Sequence, residues 1–265
     1  MPADVILFPD FQELKREVDK LRTEMSMLVL ERDELRFVEC KNIETSYMLT
    51  LGSLEYKAYE AECLCLRLKR KVSLLQEKKN RQEKIVLSQI EDVLDREFAE
   101  YQEKLREKMD KMNAAIERGK GELLSEADTK ELKKLYRRIV KAIHPDLHPD
   151  LSKAQFDLFN NAVDAYANGD LNTLRIIDEM VSDTIMPEVP DAMTKLVQDK
   201  ERLTKLIQII KESIEKIKSE YPYTVKDIVM DPEKIAAKKD EVERILHQYE
   251  EAISAYSLRI EEMLR

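Results

Sequence analysis

The chain has 265 residues, a net charge of −9, 37% charged residues, four glycines, no tryptophan and 6% aromatic residues. So much charge with so little glycine and aromatic side chain excludes a sheet-rich fold and points to an elongated, all-α chain. No apolar run approaches the length a bilayer requires. Val5-Ile6-Leu7-Phe8, flanked by Asp4 and Asp10, is too short for a secretory signal, so a cytoplasmic chain is expected.

From the N-terminus, Phe11, Leu14, Val18, Leu21, Met25, Leu28 and Leu35 fall on one heptad grid that skips position 32. After a break predicted near Asn42 to Ser46, a second grid takes Leu51, Leu54, Ala58, Ala61, Cys65, Leu68, Val72 and Leu75. Two helices of about 30 residues, or roughly 45 Å each, joined by a short connection, predict an antiparallel hairpin. Ala58 and Ala61 permit close approach, whereas Gly52 is a weak point costing on the order of 1 kcal/mol against alanine. Cys40, Cys63 and Cys65 form neither a disulfide framework nor a zinc spacing, which fits a reducing compartment. Cys63 and Cys65 point about 200° apart on a helix, predicting one core and one surface thiol.

Past Asn80 the pattern continues through Ile90, Leu94, Phe98, Tyr101, Leu105, Met109, Met112 and Ile116 until Gly119 and Gly121 end the helix. Arg67, Lys69, Arg70, Lys71, Lys78, Lys79, Arg81 and Lys84, set against Glu77 and Glu83, give the stretch 67–84 a net +6. A patch of this kind suits nucleic acid, but it lacks interleaved aromatics, and coiled-coil faces are often as charged.

Ser125 and Asp128 then signal a helix start. Leu132, Leu135, Tyr136, Ile139 and Ile143 share one face of that helix. Lys130, Lys134, Arg137 and Lys141 lie nearly opposite, and 130–143 carries +5 in an acidic chain. Pro145 stops the helix by removing a donor and restricting the residue before it, leaving His144 at the last turn and Asp146 in the loop. Phe156, Phe159, Ala162, Val163 and Tyr166 recur at helical spacing and are predicted to pack on Leu135, Ile139 and Ile143. Asn168-Gly169-Asp170-Leu171 is a turn signal before an apolar helix from Leu171 to Val181.

A basic amphipathic helix, His-Pro-Asp, a polar loop and the string Phe156-x-x-Phe159-Asn160-x-Ala162, in that order, resemble the J-domain of DnaJ-type co-chaperones. The resemblance covers about 45 to 55 residues. It implies a small helical unit that stimulates ATP hydrolysis by a DnaK-type heat-shock chaperone. His144, Pro145 and Asp146 match the tripeptide required for that effect. Lys133, Lys134, Arg137, Arg138 and Lys141 match the basic face that docks on the partner. The family's Tyr-x-x-Leu-Gly motif in the preceding helix is missing. The nearest string, Gly121-Glu122-Leu123-Leu124, sits too close to Leu132, so the unit reads as reduced or divergent.

His144, Asp146, His148 and Asp150 have metal-ligand chemistry, but two prolines stiffen the loop and no third histidine or cysteine lies nearby. No metal and no cofactor is expected. Met186-Pro187-Glu188-Val189-Pro190-Asp191 reads as a linker. Leu196, Leu203, Ile207, Ile210, Ile214 and Ile217 form one seam. Val242, Leu246, Tyr249, Ile253, Tyr256, Ile260 and Met263 form another beyond a turn at Tyr221-Pro222-Tyr223 and a helix start at Asp231-Pro232, predicting a second hairpin.

The expected organisation is an N-terminal long-helix arm over 1–118, a J-domain-like unit over 119–184 and a C-terminal helical hairpin over 185–265. Two long antiparallel hairpins would then flank the small unit. Apolar flanks such as Leu30, Val38, Ile85 and Val86 are left for the other arm, a second copy or a partner, with self-association favoured. The leading expectation is a co-chaperone, not an enzyme, whose arms hold a client or fix location. A structural interaction protein with an inactive J-like unit is the alternative, and nucleic-acid binding through 67–84 ranks third.

Overall fold

The computed structural model describes residues 9–120, 124–182 and 193–265. Regular structure among them is entirely helical: α1 Pro9–Asp33, α2 Cys40–Tyr47, α3 Ser53–Asn80, α4 Leu87–Glu97, α5 Ala99–Lys120, α6 Glu126–Ile143, α7 Lys153–Asn168, α8 Leu171–Ser182, α9 Met193–Ser219, α10 Lys226–Val229 and α11 Pro232–Leu264. The expectations for Val5–Phe8, Gly121–Leu123 and the Met186–Asp191 linker lie outside the described residues. Two compact units divide the chain, one drawn from 1–41 and 122–224, the other from 42–121 and 225–265. The J-like segment thus shares its unit with α1 and α9.

In the first unit α1 packs along α9. Their flanks are joined by Glu17–Lys200 at 2.8 Å, Glu24–Lys211 at 2.7 Å and Glu31–Lys218 at 3.1 Å. The numbers rise together, so the two helices run parallel. Val18, Met25 and Val29 meet Leu203, Ile207, Ile210 and Ile214 in one core with the inner faces of α6, α7 and α8. Tyr136 against Tyr166 and His144 against Phe159 show that α6 and α7 are antiparallel. The pairs Glu131–Arg175 and Arg138–Asp178 show that α8 runs with α6. Gly169, at φ 71°, closes α7 in the left-handed conformation that glycine adopts without strain.

In the second unit α3 packs along α11. Tyr249 lies beside Glu62, and Ile260 and Met263 cluster with Val72 and Leu75, so this pair is parallel as well. The helix expected to continue past Asn80 turns back instead. α4 lies antiparallel on α3, placing Ile90 and Leu94 against Val72 and Leu75. α5 then follows a break at Phe98.

The predicted antiparallel hairpins are therefore not the pairs that form. A heptad seam specifies an apolar stripe but not the helix that covers it. Nor does the chain turn at 42–46, since α2 is helical between two π-helical stretches, Glu34–Glu39 and Met48–Gly52. Gly52 sits at the second of these. A Cβ there would stand 3.3 Å from the Met48 sulfur and 4.0 Å from Met112, so the missing side chain lets α5 come close. Cys63 and Cys65 are both buried, because α3 is covered from more than one side, and burial pushes the Cys63 thiol pKa up.

Candidate partner-docking site

Ser125 caps α6, its hydroxyl accepting from the Asp128 N–H at 3.1 Å. Leu132, Leu135, Tyr136, Ile139, Val140 and Ile143 are all buried, as the periodicity requires. The last backbone bond runs from the His144 N–H to the Val140 carbonyl at 3.1 Å. His144 then turns extended, at φ −69° and ψ 129°, the conformation that a following proline favours. Its carbonyl accepts from the N–H groups of Leu147 and His148, closing the loop that carries the tripeptide. Ser152 and Gln155 form a capping box that starts α7.

His144, at the last turn as expected, is buried, with only 3% of the residue exposed. Its Nδ1 accepts from the Asp146 N–H at 3.0 Å, and its ring meets the Phe159 ring edge-on at 4.8 Å. Burial, then the Arg32 charge and His148, lower its pKa to about 3, so the imidazole is neutral at physiological pH. The loop is also held from α9, where Arg202 donates to the Asp146 carbonyl at 2.6 Å. The second histidine caps the helix, its Nε2 meeting the Lys141 carbonyl at 2.7 Å. The Asp146 carboxylate is left 38% exposed.

A second polar centre lies beneath α6. The Tyr136 hydroxyl donates to the buried Asp33 carboxylate at 2.8 Å, and Arg32 donates to the same carboxylate at 2.7 Å. Burial, and then the Asp33 charge, push the Tyr136 phenol pKa far upward, which keeps it a donor. Sequence reading missed Arg32, Asp33 and Arg202 because they come from helices distant in the chain. The clue was position 32, the point where the N-terminal heptad lapses.

The five basic residues fall into two groups. Lys133 is paired with Glu34, and Arg138 holds Asp178 through two bonds, of 2.8 and 2.5 Å. Lys134, Arg137 and Lys141 are exposed and make no ion pair among the described residues. Phe156, expected in the core, is 46% exposed, since Phe159 takes the place against His144.

The other basic stretch is different. Arg67 binds Glu91 and Asp95 at 2.6 and 2.7 Å, and Arg70 binds Glu97 at 2.8 Å. Lys71 binds Glu91 at 2.5 Å, Lys78 binds Glu83, and Arg81 binds Glu77. The bond from Lys71, together with that from Arg67, holds the Glu91 carboxyl below its usual range against the cost of burial. Among the described residues no three potential metal ligands converge, and no helix is long and apolar enough to cross a membrane. Comparison with protein families, curated proteins and solved structures finds no match to this chain.

Proposed function

We propose that the protein is a J-domain-type co-chaperone, in which α6, the 144–146 loop and α7 recruit a DnaK-type chaperone and stimulate its ATPase. One observation carries this reading. Lys134, Arg137 and Lys141 stand exposed, with no ion pair among the described residues, on the helix that leads directly into an ordered His-Pro-Asp loop whose Asp146 side chain is 38% exposed. Exposed cations of this kind steer an acidic partner, and the loop behind them is held rigidly by Arg202 and Phe159. The helical arms are then free to hold a client, fix location or bring two copies together.

The experiment is single-turnover ATP hydrolysis by a DnaK-type chaperone with and without the full chain. Acceleration is expected, with loss in Asp146→Asn. That substitution alters a partly exposed carboxylate and leaves buried His144 in place. No acceleration with a chaperone from the same cell would favour the second reading, a structural interaction protein with an inactive J-like unit. The engagement of Lys133 and Arg138 inside the protein supports that alternative. The internal ion pairs of 67–84 leave little charge there for nucleic acid, which keeps that reading third.

A further inference from the structure

Both backbone polar groups of Asp146 are taken. Its N–H donates to His144 Nδ1 at 3.0 Å, and its carbonyl accepts from the Arg202 guanidinium at 2.6 Å. The first contact is local, whereas the second comes from α9, 56 residues later in the chain. A bond from a guanidinium is charge-assisted and roughly twice as strong as one between neutral groups. With the peptide groups on either side of the Asp146 Cα both held, the direction in which its 38%-exposed side chain leaves the backbone is set.

Arg202 is itself fixed. Asp199, one turn earlier on α9, accepts from it at 3.4 Å through one carboxylate oxygen, and Arg22 of α1 donates to the other at 2.8 Å. The Asp199 side chain is only 14% exposed. A line of polar contacts therefore runs from α1 through α9 into the loop. Leu147, the next residue, is seated in the same core as Leu196 and Leu203 of α9. The other ion pair from α9 to the loop, Lys195 with Asp150 at 3.9 Å, ends on a carboxylate that is 87% exposed and constrains little.

We propose that Arg202 is a positioning residue for the 144–146 loop: holding the Asp146 carbonyl from α9, it aims the Asp146 carboxylate at the chaperone. The stimulating unit then includes α9, which lies outside the J-like stretch. This rests on the reading of the loop as the element that stimulates a DnaK-type ATPase. Arg202 acts on the rate within the bound complex, and docking stays with the exposed cations of α6.

The test uses the full chain in two measurements. Single-turnover ATP hydrolysis by a DnaK-type chaperone, titrated with the protein, separates maximal stimulation from the concentration that gives half of it. Amide hydrogen exchange read by NMR reports on the loop itself. Arg202→Met keeps an aliphatic stem and removes the donors. It should lower maximal stimulation about tenfold and leave the half-effect concentration within about twofold of wild type. The amides of Asp146, Leu147 and His148 should exchange about tenfold faster, while those of Ile139, Val140 and Ile143 keep their wild-type rates. Arg202→Lys, which retains a donor, should recover part of the stimulation, and Lys195→Met should match wild type. Wild-type protection of the loop amides in Arg202→Met overturns the proposal, as does a loss confined to the half-effect concentration. So does faster exchange shared by α6, which would make Arg202 a general support of the fold. No acceleration by the wild type removes the co-chaperone reading together with this role, whereas acceleration that survives Arg202→Met removes the role alone.

Discussion

The stretches 67–84 and 130–143 carry similar positive charge in the sequence, yet the fold treats them oppositely. Along α3 the cations face α4 and are matched by Glu91, Asp95 and Glu97 from that neighbour. Along α6 the apolar face is spent on the core, α8 takes only Arg138, and Glu34, which opens the first π-helical stretch, takes only Lys133. Net charge over a window therefore says little about available charge. What matters is whether the next helix presents carboxylates at the matching register.

The largest test of this contrast concerns what anchors α6. The folded pKa of His144, about 3, lies below the ordinary 6.5, so the unfolded chain binds the proton first as pH falls. Its stabilising contribution is complete above pH 6.5 and drains away as pH drops toward 3. Between pH 7 and 4.5 this is worth about 2 to 3 kcal/mol. Urea unfolding should show that slope in the wild type and a flatter one in His144→Gln. The variant should also be less stable by about 1 to 3 kcal/mol at pH 7, because it disturbs a buried hydrogen bond. Superimposable pH slopes would mean that His144 is not held neutral.

Next in size is the exposed face itself. Arg137→Glu/Lys141→Glu should weaken chaperone binding about tenfold and flatten its dependence on salt, with unchanged melting. Binding equal to wild type at low salt would make these cations merely solvated. A smaller effect separates the paired from the unpaired members. Arg138→Gln breaks a two-bond contact with Asp178 and should cost up to about 1 kcal/mol, whereas Arg137→Gln should cost nothing measurable.

The smallest expected effect is at the other stretch. Reversing Lys69, Lys79 and Lys84 should leave melting within about 0.5 kcal/mol of wild type. Neither form should retain single-stranded RNA or DNA at physiological salt. Salt-sensitive retention lost in the triple variant would reverse the contrast and promote the nucleic-acid reading.

Helix existence was legible because the apolar spacing is regular. Val18, Met25, Ile139 and Ile214 are buried where the period places them. The cap at Asp231 was legible too, its carboxylate accepting from the N–H groups of Glu233 and Lys234. Pairing was not, although one signal existed. Glu17, Glu24 and Glu31 are seven apart, as are Lys211 and Lys218, and these charges line the α1–α9 seam. At the candidate site, the helix and its proline stop followed from local spacing, whereas the pairing of Lys133 and Arg138 with distant carboxylates did not. The burial of His144 did not, since it depends on Arg32, Phe159 and α9, which no local window contains.

The pairing of α1 with α9 also sets the order of events during synthesis. About 160 residues separate the end of α1 from the start of α9. At roughly 5–20 residues per second, α1 waits on the order of ten seconds after emerging before its cover exists. Through that interval Val18, Met25 and Val29 have no native partner from α9, and the contact that eventually buries them is among the least local in the chain. A nascent chain stalled before residue 193 should therefore present its N-terminal seam to any holdase at the tunnel exit, and release of the full chain should withdraw it.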